Sequence, residues 1–197
     1  MKRRYFGQVV FPILFFSVVV LFFAEVPVIA QPADKTAMLV IDVQVGYFPL
    51  HRGSFMLKNI KKLVEKAKQA NVPVIYIHNY DKDFVPLNSR KWELSPYIKP
   101  EGEYLHVNKE YSSAFRQTNL ESILSVRKIK KLVITGLSTG GCVNATIQAA
   151  LARKYKLVIV SDAHGSVSPD AESEIRRFNM QWERQGAILK TTTEIQF

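Results

Sequence analysis

The chain has 197 residues, 47% of them hydrophobic, which is enough apolar material for one domain with a substantial core. The formal net charge is +10, but the lysines and arginines occur on predicted helix surfaces and at loop starts without interleaved aromatic residues, which argues against a nucleic-acid partner. The single cysteine excludes an internal disulfide.

The first 30 residues have the three-part pattern of a secretory signal. Basic residues at positions 2–4 precede an apolar run at positions 9–23, and Ala30 is the favoured cleavage position. We expect a secreted or periplasmic protein with no stable membrane association. An uncleaved membrane anchor is the alternative, because the apolar run is long for a signal and short for a full membrane span.

Residues 31–197 alternate predicted strands with predicted helices. We predict strands at residues 37–43, 72–78, 103–107, 132–135, 157–160 and 187–192, and helices at residues 56–70 and 120–126, from Cys142 onward, and at 169–184. Continuous apolar runs such as AMLVIDV are typical of buried parallel strands. The alternation predicts a single α/β domain, a three-layer Rossmann-like, doubly wound sheet of about six mostly parallel strands.

The only cysteine lies where a predicted strand turns into a predicted helix. An apolar run at residues 132–135 leads into a loop that contains Gly136, Gly140 and Gly141 and ends at Cys142. A sulfur at a helix N-terminus faces free N–H groups and the positive end of the helix dipole, which favour a thiolate. Glycines let a substrate carbonyl approach the backbone, so we predict a nucleophile beside an oxyanion hole. The alternative is that the cysteine is a small buried hydrophobic residue.

Two charged residues are predicted to face the same crevice as Cys142. Asp42 ends the first predicted strand and Lys109 follows the third. In doubly wound sheets the ligand crevice lies beyond the carboxyl ends of the strands. An acid can accept the thiol proton, and an ammonium can hold a thiolate and orient the acid. The three residues therefore predict a cysteine nucleophile that needs no histidine.

A long segment without clear periodicity, residues 81–100, separates the second and third predicted strands. Long loops in compact domains are often binding loops, and Trp92 and Tyr97 are candidates to cover a pocket. The alternative is that both aromatic side chains pack this loop onto the body of the domain.

Three motifs resemble those of the isochorismatase-like cysteine hydrolases, the superfamily of nicotinamidase, isochorismatase and carbamoylsarcosine amidase. They are DVQ at residues 42–44 with Tyr47, Lys109 ahead of YSSAF at residues 111–115, and VITGLST at residues 133–139 ahead of Cys142. The match runs in order from about residue 37 to the C-terminus. It implies a Rossmann-like fold and homo-oligomers.

The resemblance also assigns roles to individual residues. It implies an Asp–Lys–Cys triad at Asp42, Lys109 and Cys142. It implies a non-proline cis peptide bond between Leu137 and Ser138, which would aim the amides of Ser138 and Cys142 at the oxyanion. One departure concerns the position after the threonine, where family members commonly carry Asp or Asn and this chain has Gly140.

The reaction expected from these residues is cleavage of the C–N bond of a small amide through an acyl-enzyme on Cys142. Vinyl-ether cleavage of an isochorismate-like substrate and a non-catalytic binding role are the alternatives. We assign substrate binding to five residues: Gln44, Tyr47, His78, Trp92 and Phe115.

A metal site is not predicted. The nicotinamidase branch of the family binds a divalent metal through an Asp-x-His motif just after the second strand, whereas residues 78–83 read HNYDKD here. His78 with Asp81 or Asp83 would be a degenerate version, but such carboxylates in a charged loop are more often solvated. We therefore expect neither a metal nor another cofactor.

Overall fold

The computed structural model describes Met1, residues 35–50 and residues 54–197. Residues 35–50 and 54–197 belong to one compact unit. Apart from Met1, the predicted signal segment lies outside the described residues, so export stays a prediction. Within the described part of the chain, no helix combines the length and apolar character needed to cross a membrane.

Six parallel strands form one sheet in the order β3-β2-β1-β4-β5-β6. The strands are β1 (Lys35–Ile41), β2 (Val74–Asn79), β3 (His106–Lys109), β4 (Ile129–Leu137), β5 (Lys156–Gly165) and β6 (Ile188–Lys190). The helices are α1 (Ser54–Gln69), α2 (Leu120–Val126), α3 (Asn144–Ala152) and α4 (Ala171–Arg184). The order of the strands reverses between β1 and β4, where a doubly wound sheet places its ligand crevice.

The two faces of β1 contribute to two separate hydrophobic cores. Leu39 and Ile41 belong to the core that contains α2, α3 and α4, whereas Met38 and Val40 belong to the core that contains α1. All four side chains are fully buried, as the continuous apolar run predicted. The sheet therefore lies between two helical layers, which confirms the predicted doubly wound α/β fold.

Two predicted elements differ from the structure near the crevice. The third strand begins at His106, three residues later than predicted, so Lys109 is its last residue. The helix predicted to begin at Cys142 begins at Asn144, after a single π-helical turn over Thr139–Val143. Gly141 has φ −102° and ψ −113° in this turn, and these non-helical angles separate Cys142 from the regular helix.

The segment between β2 and β3 contains no helix or strand, in agreement with the predicted long excursion. Backbone hydrogen bonds hold its middle part against the residues that directly follow β1. The N–H of Val45 donates to the Glu93 carbonyl at 2.9 Å, and the N–H of Gly46 donates to the Lys91 carbonyl at 2.8 Å. A Cβ at Gly46 would lie 3.0 Å from the Lys91 Cβ, so a glycine permits this close approach.

Gly136 determines how closely β4 approaches β1 beside the crevice. Its φ is +117°, and a Cβ there would lie 2.1 Å from the Ile41 carbonyl oxygen. Backbone atoms cannot yield as a flexible side chain can. A glycine at this position therefore allows the residue after Ile41, which is Asp42, to lie beside the loop that carries Cys142.

We predict that Gly136→Ala destabilises the fold much more than Gly186→Ala. Both glycines have positive φ, which costs another residue about 1 kcal/mol, but the space around Gly186 is open. The contact with Ile41 should bring the total loss for Gly136→Ala to about 3 kcal/mol or more. Urea denaturation of both variants measures this difference, and equal losses would contradict the account of the β1–β4 approach.

Candidate active site

Three side chains meet at the carboxyl edge of the sheet. Asp42 directly follows β1, Lys109 ends β3, and Cys142 lies in the turn after β4. The Lys109 Nζ lies 2.8 Å from Asp42 Oδ2 and 3.3 Å from Cys142 Sγ. Asp42 and Lys109 are almost completely buried, and Cys142 is partly exposed. The structure therefore brings together the three residues that the sequence predicted.

Asn79 is a fourth member of this cluster, and the sequence analysis gave it no role. It ends β2, and its Oδ1 accepts a hydrogen bond from Lys109 Nζ at 3.0 Å. An ammonium has three donors, so Asp42, Asn79 and Cys142 together occupy all of them. The sequence feature that could have identified Asn79 was its position, because it ends a strand at the same edge of the sheet as Asp42.

The pKa values of both Asp42 and Lys109 are raised in this buried pair. Burial raises the pKa of the Asp42 carboxyl above its ordinary value, although the Lys109 charge opposes that rise. Burial by itself would lower the pKa of Lys109, but the charge of Asp42 and the hydrogen bonds to Asp42 and Cys142 outweigh it and raise the pKa. An ammonium beside a carboxylate is the arrangement that satisfies both groups at neutral pH.

The Cys142 thiol is neutral in this arrangement, which corrects the prediction of a thiolate. Burial and the Asp42 charge raise the pKa of Cys142 to about 12, and Lys109 offsets only part of that rise. The sequence argument relied on a helix dipole, but Cys142 lies in the π-helical turn ahead of the regular helix. A carboxylate in the same buried site outweighs the dipole contribution.

Asp42 retains an unused acceptor next to the thiol. Its Oδ2 is occupied by Lys109, whereas Oδ1 is buried and forms no hydrogen bond of good geometry within the described residues. The pKa of Asp42 also responds to Cys142, which places the two side chains near each other. A buried, unpaired carboxylate oxygen is suited to accept a proton from the sulfur.

The loop before Cys142 contains the cis peptide bond that the family resemblance implied, between Leu137 and Ser138. The N–H groups of Gly141 and Val143 both donate to the Ser138 carbonyl, at 2.9 and 3.2 Å. The N–H of Cys142 lies between them in sequence, in the same π-helical turn.

A buried polar network connects the loop before Cys142 to β5 and α4, and the sequence analysis did not identify it. The Thr139 hydroxyl donates to the Gly165 carbonyl at 2.8 Å, so it accepts from His164 Nδ1 at 2.9 Å. The other ring nitrogen of His164 lies 3.0 Å from the Asn179 side chain. Burial lowers the pKa of His164 to about 4, so its imidazole is neutral. These contacts connect the loop to β5 and α4.

Gln44 does not contact the open crevice, although we predicted that it binds substrate. It is buried, and its Nε2 donates to the carbonyls of Asn79 and Trp92 at 2.9 and 2.8 Å. Its Oε1 accepts from the Asn79 N–H at 2.8 Å. The amide therefore clamps the end of β2 to the excursion, which is a positioning role.

His78 and Trp92 also differ from the prediction that they bind substrate. His78 has no exposed surface, and its Nδ1 donates to the Trp92 carbonyl at 3.1 Å. The two rings are 4.5 Å apart, and burial lowers the pKa of His78 to about 4. Trp92 therefore packs the excursion onto His78 and the body of the domain, which was the alternative interpretation of this aromatic residue.

Phe115 is buried in the hydrophobic core that also contains α3, where its ring packs 5.9 Å from that of Tyr155 and 4.8 Å from the Arg153 guanidinium. Its assignment to the substrate site stays a prediction. Tyr97 is 63% exposed and borders a surface cavity beside α1, so it does not cover this site.

Tyr47 is the predicted substrate residue that the structure places at the cluster. Its hydroxyl oxygen accepts a hydrogen bond from Asn79 Nδ2 at 2.6 Å. Burial, together with the nearby charge of Asp42, raises the pKa of Tyr47 to about 12. The phenol is therefore protonated and lies within electrostatic reach of Asp42 and Cys142.

The family model described as Isochorismatase domain matches residues 36–194. This chain belongs to the isochorismatase family. Ureidoacrylate amidohydrolase RutB of Agrobacterium fabrum (strain C58) is 27% identical over 197 residues, covering 79% of this chain and 86% of the relative. Isochorismatase family protein YrdC of Bacillus subtilis (strain 168) is 32% identical over 138 residues, covering 66% of this chain and 73% of the relative. The crystal structure of an isochorismatase candidate from Burkholderia xenovorans LB400 is similar with a TM-score of 0.74 and 28% identity, covering 82% of this chain and 85% of that one.

The departure from the isochorismatase family pattern at Gly140 has a local structural reason. A Cβ at this position would lie 2.8 Å from the Glu174 Oε1 and 3.0 Å from the Phe178 ring. Both residues belong to α4, which packs directly on the loop. An Asp or Asn side chain would require Glu174 or Phe178 to shift, whereas glycine leaves both side chains of α4 in place.

The metal site of the nicotinamidase branch does not fit the residues of this family member. The His78 Nδ1 is occupied by the Trp92 carbonyl, and Asp81 Oδ1 accepts from the N–H groups of Asp83 and Phe84 at 3.0 and 2.6 Å. Asp81 therefore closes a turn in its own loop. Among residues 35–50 and 54–197, no group of three or more His, Cys, Asp and Glu side chains is placed to hold a metal ion.

The charges around the sulfur make a prediction about the reactivity of Cys142. Because its pKa is raised to about 12, alkylation by iodoacetamide should accelerate by about tenfold per pH unit between pH 7 and 10 without a plateau. Asp42→Asn removes the charge that raises the thiol pKa and should accelerate alkylation at pH 8. Lys109→Met removes the charge that lowers it and should slow alkylation.

The matched control for this measurement is Lys130→Met, which removes an exposed lysine on β4. Its pH profile should coincide with that of the wild type. Shifts of Asp42→Asn and Lys109→Met in the same direction, or a wild-type plateau below pH 9, would contradict the electrostatic description.

Proposed function

We propose that this protein is a cysteine amidase that cleaves the C–N bond of a small amide through an acyl-enzyme on Cys142. The observation that carries the proposal is the buried Lys109 ammonium, which lies within hydrogen-bonding distance of both Asp42 and Cys142. A carboxylate, an ammonium and a thiol in one buried site provide a base, a fixed positive charge and a nucleophile.

The first step joins sulfur to carbon. The Cys142 thiol passes its proton to the free Oδ1 of Asp42 as Sγ attacks the substrate carbonyl. Because the pKa of the thiol is about 12, the thiolate is not stored beforehand, and it forms together with the new bond. The carbonyl oxygen takes up the negative charge, and the amides of Ser138 and Cys142 are the donors that we assign to it.

The second step breaks the C–N bond. The tetrahedral intermediate collapses, Asp42 transfers its proton to the departing nitrogen, and a thioester remains on Cys142. Water then enters, loses a proton to Asp42 and attacks the thioester, and the sulfur leaves and recovers that proton. The raised pKa of Asp42 supports this cycle, because a carboxyl that holds a proton more tightly than an ordinary one is a better acceptor for the thiol proton.

The substrate class that we propose is a small amide or ureido compound. The named function of one relative, ureidoacrylate amidohydrolase, supports the ureido group as a starting point. The vinyl-ether chemistry expected as an alternative from the sequence needs no nucleophile, whereas this site places a thiol in contact with an ammonium.

The proposal predicts hydrolysis of at least one compound among ureidoacrylate, N-carbamoyl amino acids and simple primary amides. Ammonia, released directly or from carbamate, is the readout, and EDTA is present throughout. Cys142→Ala should lower turnover by about a thousandfold or more. One equivalent of iodoacetamide should have the same effect, because the chain has one cysteine.

Two outcomes would reject the amidase. Full activity after complete alkylation of Cys142 would reject the covalent route. Cleavage of isochorismate, with no ammonia from any amide or ureido compound, would favour the vinyl-ether alternative.

A further inference from the structure

The hydroxyl of Tyr47 has a defined hydrogen-bond role that follows from its neighbour Asn79. Asn79 Oδ1 accepts from the Lys109 ammonium, which has no lone pair and can only donate. The orientation of the Asn79 amide is therefore fixed, and its Nδ2 must face the other way. That Nδ2 donates to the Tyr47 oxygen at 2.6 Å.

The hydrogen of the Tyr47 hydroxyl is consequently directed away from Asn79. It has no acceptor within the described part of the chain. The phenol remains protonated at neutral pH, since its pKa is raised to about 12 by burial. A half-buried phenol near Asp42 and Cys142 thus keeps an unused hydrogen-bond donor.

The backbone of Asn79 is held as firmly as its side chain. Its N–H donates to Gln44 Oε1 at 2.8 Å, and its carbonyl accepts from Gln44 Nε2 at 2.9 Å. Asn79 is therefore fixed by Gln44 on one side and by Lys109 on the other. The path from the Cys142 sulfur through Lys109 and Asn79 to the Tyr47 hydroxyl consists of three consecutive hydrogen bonds.

An apolar surface lies next to this donor. The Phe84 ring centroid is 5.6 Å from that of Tyr47, and Phe84 is 41% exposed. The two rings combine one directed hydroxyl donor with apolar surface. Such a combination matches a small, flat amide that carries a second oxygen acceptor a few atoms from the scissile carbonyl.

We propose that the Tyr47 hydroxyl binds the substrate by donating a hydrogen bond to this second oxygen, and that Asn79 is the positioning residue that directs it. The ligand class is a small amide with an additional carbonyl or carboxylate oxygen, as in ureido acids. The inference rests on the proposed amidase function, because it concerns the substrate of that same site.

The test is a double-mutant cycle with the ureido acid or amide that wild-type enzyme hydrolyses fastest in the screen. Tyr47→Phe removes the donor and keeps the ring, and it should raise KM by about 3- to 10-fold with a smaller change in kcat. Asn79→Asp keeps an acceptor for Lys109 but replaces the donor to Tyr47 with an acceptor. The Tyr47 hydroxyl should then donate to the new carboxylate and be lost to the substrate.

Adding Tyr47→Phe to Asn79→Asp should therefore raise KM no further. The added negative charge is present in both Asn79→Asp backgrounds, so it cancels in the comparison. Tyr155→Phe is the matched control, because it removes a hydroxyl whose hydrogen bond, to Glu121 at 3.0 Å, lies at the protein surface. Its KM should equal that of the wild type, and thermal unfolding should show that all variants fold.

A second substrate series separates substrate contact from a structural effect. An analogue of the same amide in which a methyl group replaces the second oxygen should have equal KM values with wild type and Tyr47→Phe. Wild-type activity with unchanged KM in Tyr47→Phe, or independent and additive effects of the two substitutions, would overturn this inference alone. A wild-type enzyme that hydrolyses no amide would overturn the proposed function as well.

Discussion

The buried ion pair between Lys109 and Asp42 is the interaction on which the rest of the site depends. The side chains are 0% and 5% exposed, and their charged atoms are 2.8 Å apart. Removing two charges from water costs several kcal/mol per ion unless geometry and further hydrogen bonds compensate. Asn79 and Cys142 supply the remaining partners of the ammonium. The ends of three strands and one turn therefore converge because a single buried cation needs them all.

The same ion pair assigns different tasks to the acid and the thiol. With Lys109 as the fixed positive charge, Asp42 remains a carboxylate at rest while burial raises its pKa. The thiol next to it stays protonated, so the partly exposed sulfur is less open to oxidation than a stored thiolate. In the proposed mechanism, proton transfer and nucleophilic attack are linked, which would separate this site from cysteine sites that hold a ready thiolate.

The sequence predicted Asp42, Lys109 and Cys142 because the carboxyl ends of neighbouring parallel strands meet at one edge of a sheet. It did not predict which neighbours of these residues reach the crevice. Side chains alternate along a strand, so His78 and Asn79 point to opposite sides and only Asn79 reaches Lys109. Phe115 was placed at the site because it lies within a recognised motif, and its ring is buried in the core against Tyr155.

The electrostatic prediction failed for a related reason. A helix N-terminus can be inferred from local sequence. The pKa of Cys142, however, depends on burial and on the carboxylate of Asp42, which is one hundred positions earlier in the chain but close in space. The packing of α4 on Gly140, which explains the missing Asp or Asn, also involves residues distant in sequence. Contacts of this kind arise from the tertiary fold and leave little trace in local patterns.

The most direct test of the central claim is to intercept the thioester on Cys142 with hydroxylamine. During hydrolysis of an amide substrate, hydroxylamine should compete with water for the acyl group and yield an acyl hydroxamate. The hydroxamate fraction should rise with hydroxylamine concentration, and an acid-quenched reaction should show the acyl mass on the peptide that contains Cys142. Product that forms only as the free acid at every hydroxylamine concentration, with the Cys142 peptide unmodified throughout, would contradict a covalent cysteine mechanism.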